Sequence, residues 1–275
     1  MSTLPHFATP DRRRLLGGLA LALCAPALAH AALRPGEPQP WLDYEARLRG
    51  RLGDAGGGRF QAGTAEALLA ETNAVRHAAG RGELQWSAQL ALAARAHAAD
   101  LAARGYVEHL SPEGFDPSHR LSLLSRRLLA STSENIAVRT GGAPPTASDL
   151  MGVWRKSRPH WTGLMLPTHT HAAFGVVQAG RRTIAVGLYA RPDGTLAQPA
   201  PFRLEDEADL VRAVASARPE LRDFELTDPI SERRMAGPWP TGEDFALPRG
   251  VYQLRPHRPV PGGTQILWGP IFVRL

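Results

Sequence analysis

The sequence of 275 residues contains a single cysteine, Cys24, so no disulfide can form within one chain. Because no crosslink is possible, the fold has to be stabilised by a buried apolar core. Hydrophobic residues make up 43% of the chain, which is enough for such a core and too many for a disordered protein. A chain of this length predicts one sizeable domain with additional elements, or two small domains.

The first 31 residues are typical of a cleavable export signal. The basic run Arg12–Arg14 precedes a short apolar stretch at 15–23, and small residues follow at Ala27, Ala29 and Ala31. An arginine pair followed by one residue and two leucines resembles the twin-arginine signal, and an ordinary secretory signal is the alternative. Both predict a periplasmic or secreted protein. No later segment reaches 18 consecutive apolar residues, so we expect no membrane span.

The net charge of +6 does not predict a nucleic-acid partner. Lys156 is the only lysine among the 32 basic residues, and the arginines are scattered among 26 acidic residues rather than gathered into a stripe. None of the usual nucleic-acid-binding motifs accompanies the charge. We therefore expect no nucleic acid among the partners.

Apolar periodicity predicts helices followed by an antiparallel hairpin. After a helical stretch at 41–52 and a linker, helices are predicted at 64–79, 87–104, 118–129, 146–157 and 160–164, and strands at 133–138, 172–179 and 183–189. This order predicts an α+β fold with helices on the faces of the sheet. Beyond residue 193 the sequence predicts a helix at 205–217 and strands at 250–254 and 271–274. These elements either pack against the first domain or form a small β appendage.

Three residues at turns and element ends are candidates for chemistry: His109, Glu134 and His160. His160 lies at the start of a predicted helix, where the helix dipole disfavours imidazolium. A neutral ring can bind a metal or accept a proton. The alternative is that His160 only packs beside Trp154 or Trp161.

Glu134 opens an apolar strand, so we expect it to be partly buried and to need a histidine, a backbone donor or a metal as partner. Alternatively, its carboxylate caps a turn through backbone amides. His169 and His171 form a competing metal pair, since residues two apart share a face when the chain is extended. Nucleotide-binding loops, H-E-x-x-H and G-x-S-x-G are all absent from the sequence.

Six short motifs follow one another between residues 68 and 191. They are Glu71-Thr72-Asn73-Ala74-Val75-Arg76, Leu84-Gln85-Trp86-Ser87, His109-Leu110-Ser111-Pro112-Glu113-Gly114, Ser133-Glu134-Asn135-Ile136-Ala137, Trp154-Arg155-Lys156-Ser157-Arg158-Pro159-His160 and Phe174-Gly175-Val176-Val177. In this order they resemble the CAP superfamily of cysteine-rich secretory, antigen 5 and pathogenesis-related proteins, in its cysteine-free bacterial SCP-like branch.

The resemblance implies a three-layer α-β-α sandwich with a central cleft, where two histidines and two acids converge. By position, the cleft residues here are His109, Glu134 and His160, while Ser157 stands in place of the fourth member, an acid. Two further positions depart from the family pattern, since Ser133 replaces a glycine and Gly163 replaces an asparagine. The resemblance also implies a binding or signalling module, since the family has no agreed enzymatic activity.

The predicted organisation is a signal peptide at 1–31, a linker with a helix at 32–61, a CAP domain at 62–192 and a C-terminal extension with a short helix and β strands at 193–275. We predict an exported ligand-binding module that contacts a lipid, glycan or protein of the cell envelope.

Two imidazoles and one carboxylate suit a zinc site that keeps an open position. The cleft is therefore expected to hold a divalent cation on His109 and His160, with Glu134 assisting. The alternative function is a metal-assisted hydrolase, protease-like or esterase-like, with Glu134 as the catalytic residue.

Overall fold

The computed structural model describes residues 33–215, 217–240 and 245–275, so the predicted export signal lies outside the described residues. The helices are α1 (Pro38–Gly53), α2 (Ala62–Ala78), α3 (Ala88–Arg104), α4 (Pro117–Leu124), α5 (Ala147–Arg155), α6 (Arg158–Leu164) and α7 (Glu207–Ala215). The first strands are β1 (Arg59–Phe60), β2 (Gln85–Trp86), β3 (Leu128–Leu129), β4 (Thr132–Thr140), β5 (His171–Ala179), β6 (Arg182–Ala190) and β7 (Gly194–Thr195). They are followed by β8 (Arg203–Leu204), β9 (Asp223–Thr227), β10 (Arg234–Pro240), β11 (Gly250–Val260), β12 (Gly263–Ile266) and β13 (Ile271–Arg274).

The N-terminal sheet has the strand order β1-β5-β6-β4, and β2 lies parallel to β5 beside this path. The hairpin of β5 and β6 turns at Gly180 (φ +55°), as the sequence predicts. Strand β4 pairs with β6 along its full length, from Thr132↔Ala190 to Thr140↔Arg182. Because β4 is the last strand in the order, its outer edge is the open edge of the sheet.

Helices cover both faces of this sheet, because the side chains of its strands alternate between two apolar clusters. Ala173 and Val177 of β5 belong to the core on the side of α1, α3 and α4. Phe174 and Val176 belong to the core on the side of α2 and α5. The predicted α-β-α sandwich is confirmed.

Helix α3 lies directly against β5 because a glycine stands at the contact. A Cβ on Gly175 would meet the carbonyl oxygen of Ala94 at 2.3 Å and the backbone nitrogen of Arg95 at 2.5 Å. Only a residue without a side chain allows this approach of helix to strand.

Local sequence signals place the ends of α3 and α5. The Ser87 hydroxyl accepts a hydrogen bond from the Leu90 amide at 3.3 Å and caps α3, and Gly105 (φ +75°) follows its last turn. The Thr146 hydroxyl accepts from the Asp149 amide at 3.1 Å and caps α5. Both hydroxyls satisfy backbone amides that have no partner within the first turn of the helix.

Helix α4 is shorter than the predicted helix at 118–129. It ends at Leu124, and the Ser125 hydroxyl then accepts a hydrogen bond from the Leu128 amide at 3.3 Å. Leu128 and Leu129 form a strand that pairs with Gly194–Thr195. The apolar periodicity predicted a helix that was too long, because Leu128 and Leu129 fit the apolar pattern of a helix and of a strand equally well.

The helical stretch predicted at 41–52 is present within α1, and both α1 and the residues after it pack into the N-terminal domain. Helix α1 buries Trp41, Tyr44 and Leu48 completely or nearly so in the core shared with α3 and α4. The segment Arg59–Phe60 pairs with β5 as a strand of the N-terminal sheet. The segment is therefore an integral part of the sandwich.

The C-terminal residues form a second sheet with the order β10-β9-β11-β13-β8, and β12 pairs with β11. Its core includes Phe224, Leu226, Tyr252, Leu254 and Phe272, together with Leu210, Ala213 and Val214 of α7. The strands at 250–254 and 271–274 and the helix are present as expected, whereas β9 and β10 were not predicted.

The opposite face of the second sheet packs against the N-terminal domain. Val251, Ile271 and Val273 belong to the same apolar cluster as the residues of α1 and α4. The Arg126 guanidinium donates to the carbonyls of Pro201 and Ile271, at 2.9 and 2.6 Å. The extension therefore both forms a sheet of its own and completes the core of the first domain.

Candidate functional site

The three predicted site residues meet at the open edge of β4, between the two helical layers. His109 comes from the turn after α3, Glu134 from β4 itself and His160 from α6. The His109 Nδ1 atom is 2.9 Å from Glu134 Oε1, and the ring centroids of His109 and His160 are 6.3 Å apart. The structure thus brings the predicted residues together, and their catalytic or metal-binding role stays a prediction.

Glu134 is held by a buried ion pair that the sequence did not reveal. The side chains of Glu134 and Arg120 are each 1% exposed. The Arg120 Nη2 atom donates to both carboxylate oxygens, at 3.1 and 2.9 Å. Burial alone would raise the pKa of Glu134, but Arg120, His97 and the hydrogen bond from His109 together lower it to about 2. The carboxylate is therefore ionised and fully engaged at neutral pH.

The same guanidinium fixes the turn that carries His109. Arg120 also donates to the carbonyls of His109 and Phe115, at 2.9 and 3.0 Å. One buried cation thus positions the Glu134 carboxylate and the His109 backbone at the same time.

A third histidine, His97, lies beneath the carboxylate and is completely buried. Its Nε2 atom is 3.2 Å from the Glu108 carbonyl and 3.8 Å from Glu134 Oε1. Since a carbonyl only accepts, this nitrogen carries the hydrogen. Burial, followed by repulsion from Arg120, lowers the pKa of His97 to about 3. His97 is therefore neutral and holds the backbone next to His109.

The hydrogen bond to Glu134 selects the tautomer of His109. An ionised carboxylate accepts only, so the hydrogen of neutral His109 is on Nδ1 and the lone pair is on Nε2. The His109 side chain is 51% exposed, so solutes can reach the ring. An imidazole oriented by a carboxylate in this way is the usual arrangement behind a metal-binding histidine.

His160 is placed by the edge strand. The Asn135 side-chain amide of β4 donates to the His160 carbonyl at 3.0 Å. The Nδ1 atom of His160 is buried and has no hydrogen-bond partner within the described part of the chain. Burial lowers the pKa of His160, and repulsion from His109 lowers it further. The expected neutral ring is thus explained first by burial rather than by the helix dipole.

The competing pair of His169 and His171 does not form a shared site. The His169 ring stacks on Tyr189 with centroids 5.8 Å apart, and its Nε2 atom is 3.4 Å from the Ser133 hydroxyl. His171 contacts Thr170 through Nδ1 at 2.9 Å and lines a groove with Trp86. The two rings therefore contact different neighbours.

The Glu134 carboxylate is not free to act as a third metal ligand beside the two imidazoles of the cleft. Both oxygens of Glu134 already accept hydrogen bonds from Arg120, and one also contacts His109. Within residues 33–215, 217–240 and 245–275, no group of three or more histidine, cysteine or acidic side chains has a metal-binding arrangement. Any cation would be held by His109 and His160, with Glu134 acting only through His109.

Glu134 is also poorly suited to act as a general base. Its side chain is buried, its charge is neutralised by Arg120, and its pKa is far below neutral pH. General bases work best when their pKa is close to the operating pH. The arrangement therefore serves to orient His109 rather than to accept a proton from a substrate.

Sequence reasoning missed His97 and Arg120 for different reasons. His97 falls on the buried stripe of α3 that includes Leu90, Ala94 and Leu101, and a histidine among apolar positions was a usable signal. Arg120 was one arginine among many, and nothing in its neighbours distinguishes it from a surface residue.

The family comparison matches residues 69–189 to the CAP, or Cysteine-rich secretory protein, family. This part of the chain is a CAP domain. The match includes His109, Glu134 and His160 and ends before the C-terminal sheet, which is additional to the CAP domain. No curated protein matches the sequence.

Several solved structures are similar to the chain. An outer surface protein from Borrelia burgdorferi is 14% identical with a TM-score of 0.41, over 58% of this chain and 98% of that one. An extracellular SCP-domain protein from Bacillus anthracis is 22% identical with a TM-score of 0.41, over 48% and 41%. A cysteine-rich secretory protein from Staphylococcus aureus is 15% identical with a TM-score of 0.27, over 46% and 38%. The match spans less than half of the last two structures.

Among residues 33–215, 217–240 and 245–275, no helix has both the length and the apolarity that a membrane span requires.

Proposed function

We propose that this protein is an extracytoplasmic binding module whose CAP-domain cleft takes up a divalent cation, such as zinc, on His109 and His160. The observation that carries the proposal is the hydrogen bond from His109 Nδ1 to Glu134. It leaves Nε2 of an accessible ring as a free electron-pair donor, close to a second imidazole with an unpartnered nitrogen.

The cation would supply a charged anchor for a ligand at the mouth of the cleft. The protein contributes rigidity, because Arg120 fixes both the carboxylate and the His109 backbone, and Asn135 fixes the start of α6. Two imidazoles alone bind weakly compared with the four ligands of structural zinc sites. We therefore expect reversible uptake of the cation rather than a permanent structural metal.

Export and an envelope partner belong to the same proposal. The basic and apolar pattern of residues 12–23 and the small residues after it support export. The CAP family's own description names secretory proteins. The partner is a lipid, glycan or protein of the cell envelope. The hydrolase alternative gains no support from the cleft, because Glu134 is paired with Arg120.

Zinc titration by calorimetry tests the cation site. We expect one zinc ion to bind the wild-type protein, and the paired substitutions His109→Ala and His160→Ala to weaken binding by at least about tenfold, since both imidazole ligands are lost. His171→Ala is the matched control, because this histidine contacts Thr170 outside the cleft. Equal affinity in the wild type and the paired variant would remove the cleft as a cation site.

A hydrolase assay tests the alternative function against the binding-module proposal. Peptide, ester and glycan substrates are offered to the wild type and to Glu134→Gln, with and without zinc. We expect no turnover by either protein. Turnover by the wild type that disappears in Glu134→Gln would contradict the binding-module proposal.

A further inference from the structure

A second cavity lies at the junction of the CAP domain and the C-terminal sheet. It has a volume of about 260 Å³, and its lining includes Asp116 and His119 from the start of α4. The other side is formed by Glu232, Gln253 and Trp268 of the C-terminal region. The cavity therefore exists only where the two parts of the chain meet, and no residue of the His109–His160 cleft lines it.

The side chain of Gln253 lines this cavity with one acceptor that has no partner among the described residues. Gln253 is 2% exposed, and its amide nitrogen donates to the Ser122 hydroxyl at 3.4 Å and to the Gly269 carbonyl at 3.3 Å. Its oxygen Oε1 accepts no hydrogen bond from any side chain or backbone group that the structure describes. This oxygen can therefore accept a hydrogen bond from a molecule in the cavity.

The other polar side chains of the cavity combine acceptors with the hydroxyls of Ser118 and Ser131, which can donate or accept. Both ring nitrogens of His119 are engaged, because Nδ1 accepts from the Asp116 amide at 3.2 Å and Nε2 donates to the Pro229 carbonyl at 3.0 Å. Asp116 and Glu232 add two carboxylates, and no lysine or arginine lines the space. Such a lining favours a ligand with many donor groups and disfavours an anionic one.

Trp268 adds a half-buried aromatic surface to the cavity. The Arg255 guanidinium lies 3.6 Å from the Trp268 ring centroid and restrains the indole. An aromatic face with carboxylates and hydroxyls around it suits a ring that carries C–H groups on one face and hydroxyl groups on its rim. The volume is slightly below that of typical drug-sized pockets, which begin at about 300 Å³, so only one ring fits.

We propose that this junction cavity binds a single hexose-sized sugar ring, neutral or amino-substituted. Its C–H face packs on Trp268, and its hydroxyl or ammonium groups donate to Gln253 Oε1 and to the two carboxylates. This site is separate from the cation cleft, so neither proposal depends on the other.

Ligand-observed NMR titration of the full-length protein with glucose, glucosamine and glucuronate tests the proposal. We expect glucose and glucosamine to bind, and glucuronate to bind about tenfold more weakly because two carboxylates repel it. Trp268→Ala is expected to weaken glucose binding about tenfold through loss of the aromatic contact. Trp86→Ala is the matched control, since this exposed tryptophan lies in a different groove.

Three outcomes would overturn the proposal: no binding of glucose or glucosamine, preference for glucuronate, or equal glucose binding by the wild type and Trp268→Ala. If Trp268→Ala does not fold, the paired substitutions Asp116→Asn and Glu232→Gln replace it. Asparagine still caps α4, and Glu232 is exposed, so this variant keeps the fold. It should bind glucuronate as well as it binds glucose, and persistent discrimination against glucuronate would refute the assigned site.

Discussion

Replacing Arg120 by methionine is expected to destabilise the protein strongly, because the ionised Glu134 would lose the buried guanidinium that pairs with it. The Arg120–Glu134 pair is 1% exposed on both sides. Lowering the pKa of Glu134 from 4.5 to about 2 corresponds to about 3 kcal/mol of preferential stabilisation of the carboxylate. The carbonyls of His109 and Phe115 also lose a donor. Removing one partner of a buried pair typically costs about 3–5 kcal/mol.

Thermal and urea unfolding of four proteins measure this effect: wild type, Arg120→Met, Glu134→Gln and the double variant. For a domain of this size, about 3 kcal/mol lowers Tm by roughly 6–12 °C. The double variant should be less destabilised than the sum of the single variants, by about 2–3 kcal/mol, because the remaining partner of each single variant is left uncompensated.

The matched control is Arg222→Met, which removes an arginine from an ion pair with Asp223 while its side chain is 59% exposed. Its effect should not exceed about 1 kcal/mol. The reasoning would be refuted if Arg120→Met were as mild as this control, or if the two cleft substitutions were additive.

Three further predictions follow from the packing and the buried charges. Because the pKa of His97 is about 3 in the fold and 6.5 as its ordinary value, the unfolded chain binds the proton first, and stability should fall as pH decreases from about 6.5 towards 3. Urea unfolding across this range should show a smaller loss in His97→Gln, and an unchanged loss would contradict the assignment. Gly175→Ala should destabilise by about 1–3 kcal/mol or more through overlap with the α3 backbone, while Gly152→Ala, which has nothing within 4 Å, should not. Arg126→Met should lower Tm in a single unfolding transition, since Arg126 bonds carbonyls on both sides of the domain junction; two separate transitions would show that the halves unfold independently.

Much of the sandwich could be predicted from the sequence because local signals and burial agree there. Helix α3 spans Ala88–Arg104 where 87–104 was predicted, and the predicted hairpin of β5 and β6 is present. The C-terminal sheet was only half predicted. Strand β10 contains Gly237, Pro238 and Pro240, and its pairing with β9 is interrupted by register shifts. Such a strand has no regular alternation, and only tertiary pairing defines it.

The site was predicted in its accessible part and not in its supporting part. His109, Glu134 and His160 lie at element ends, where motifs in the sequence can be recognised. Arg120 and His97 act from within helices, and their importance depends on burial against Glu134. A buried ion pair of this kind forms only when segments far apart in sequence meet in the fold. Composition and periodicity therefore cannot predict it.

The placement of His109 and His160 on opposite sides of β4 has a consequence for how the two rings respond to motion. One ring moves with the helices above the sheet and the other with the helices below it, so a small shear between the layers changes the gap between the rings while leaving each apolar cluster intact. A ligand that binds both rings would therefore restrict movement between the two helical layers. Its binding should slow amide hydrogen exchange along the outer edge of β4.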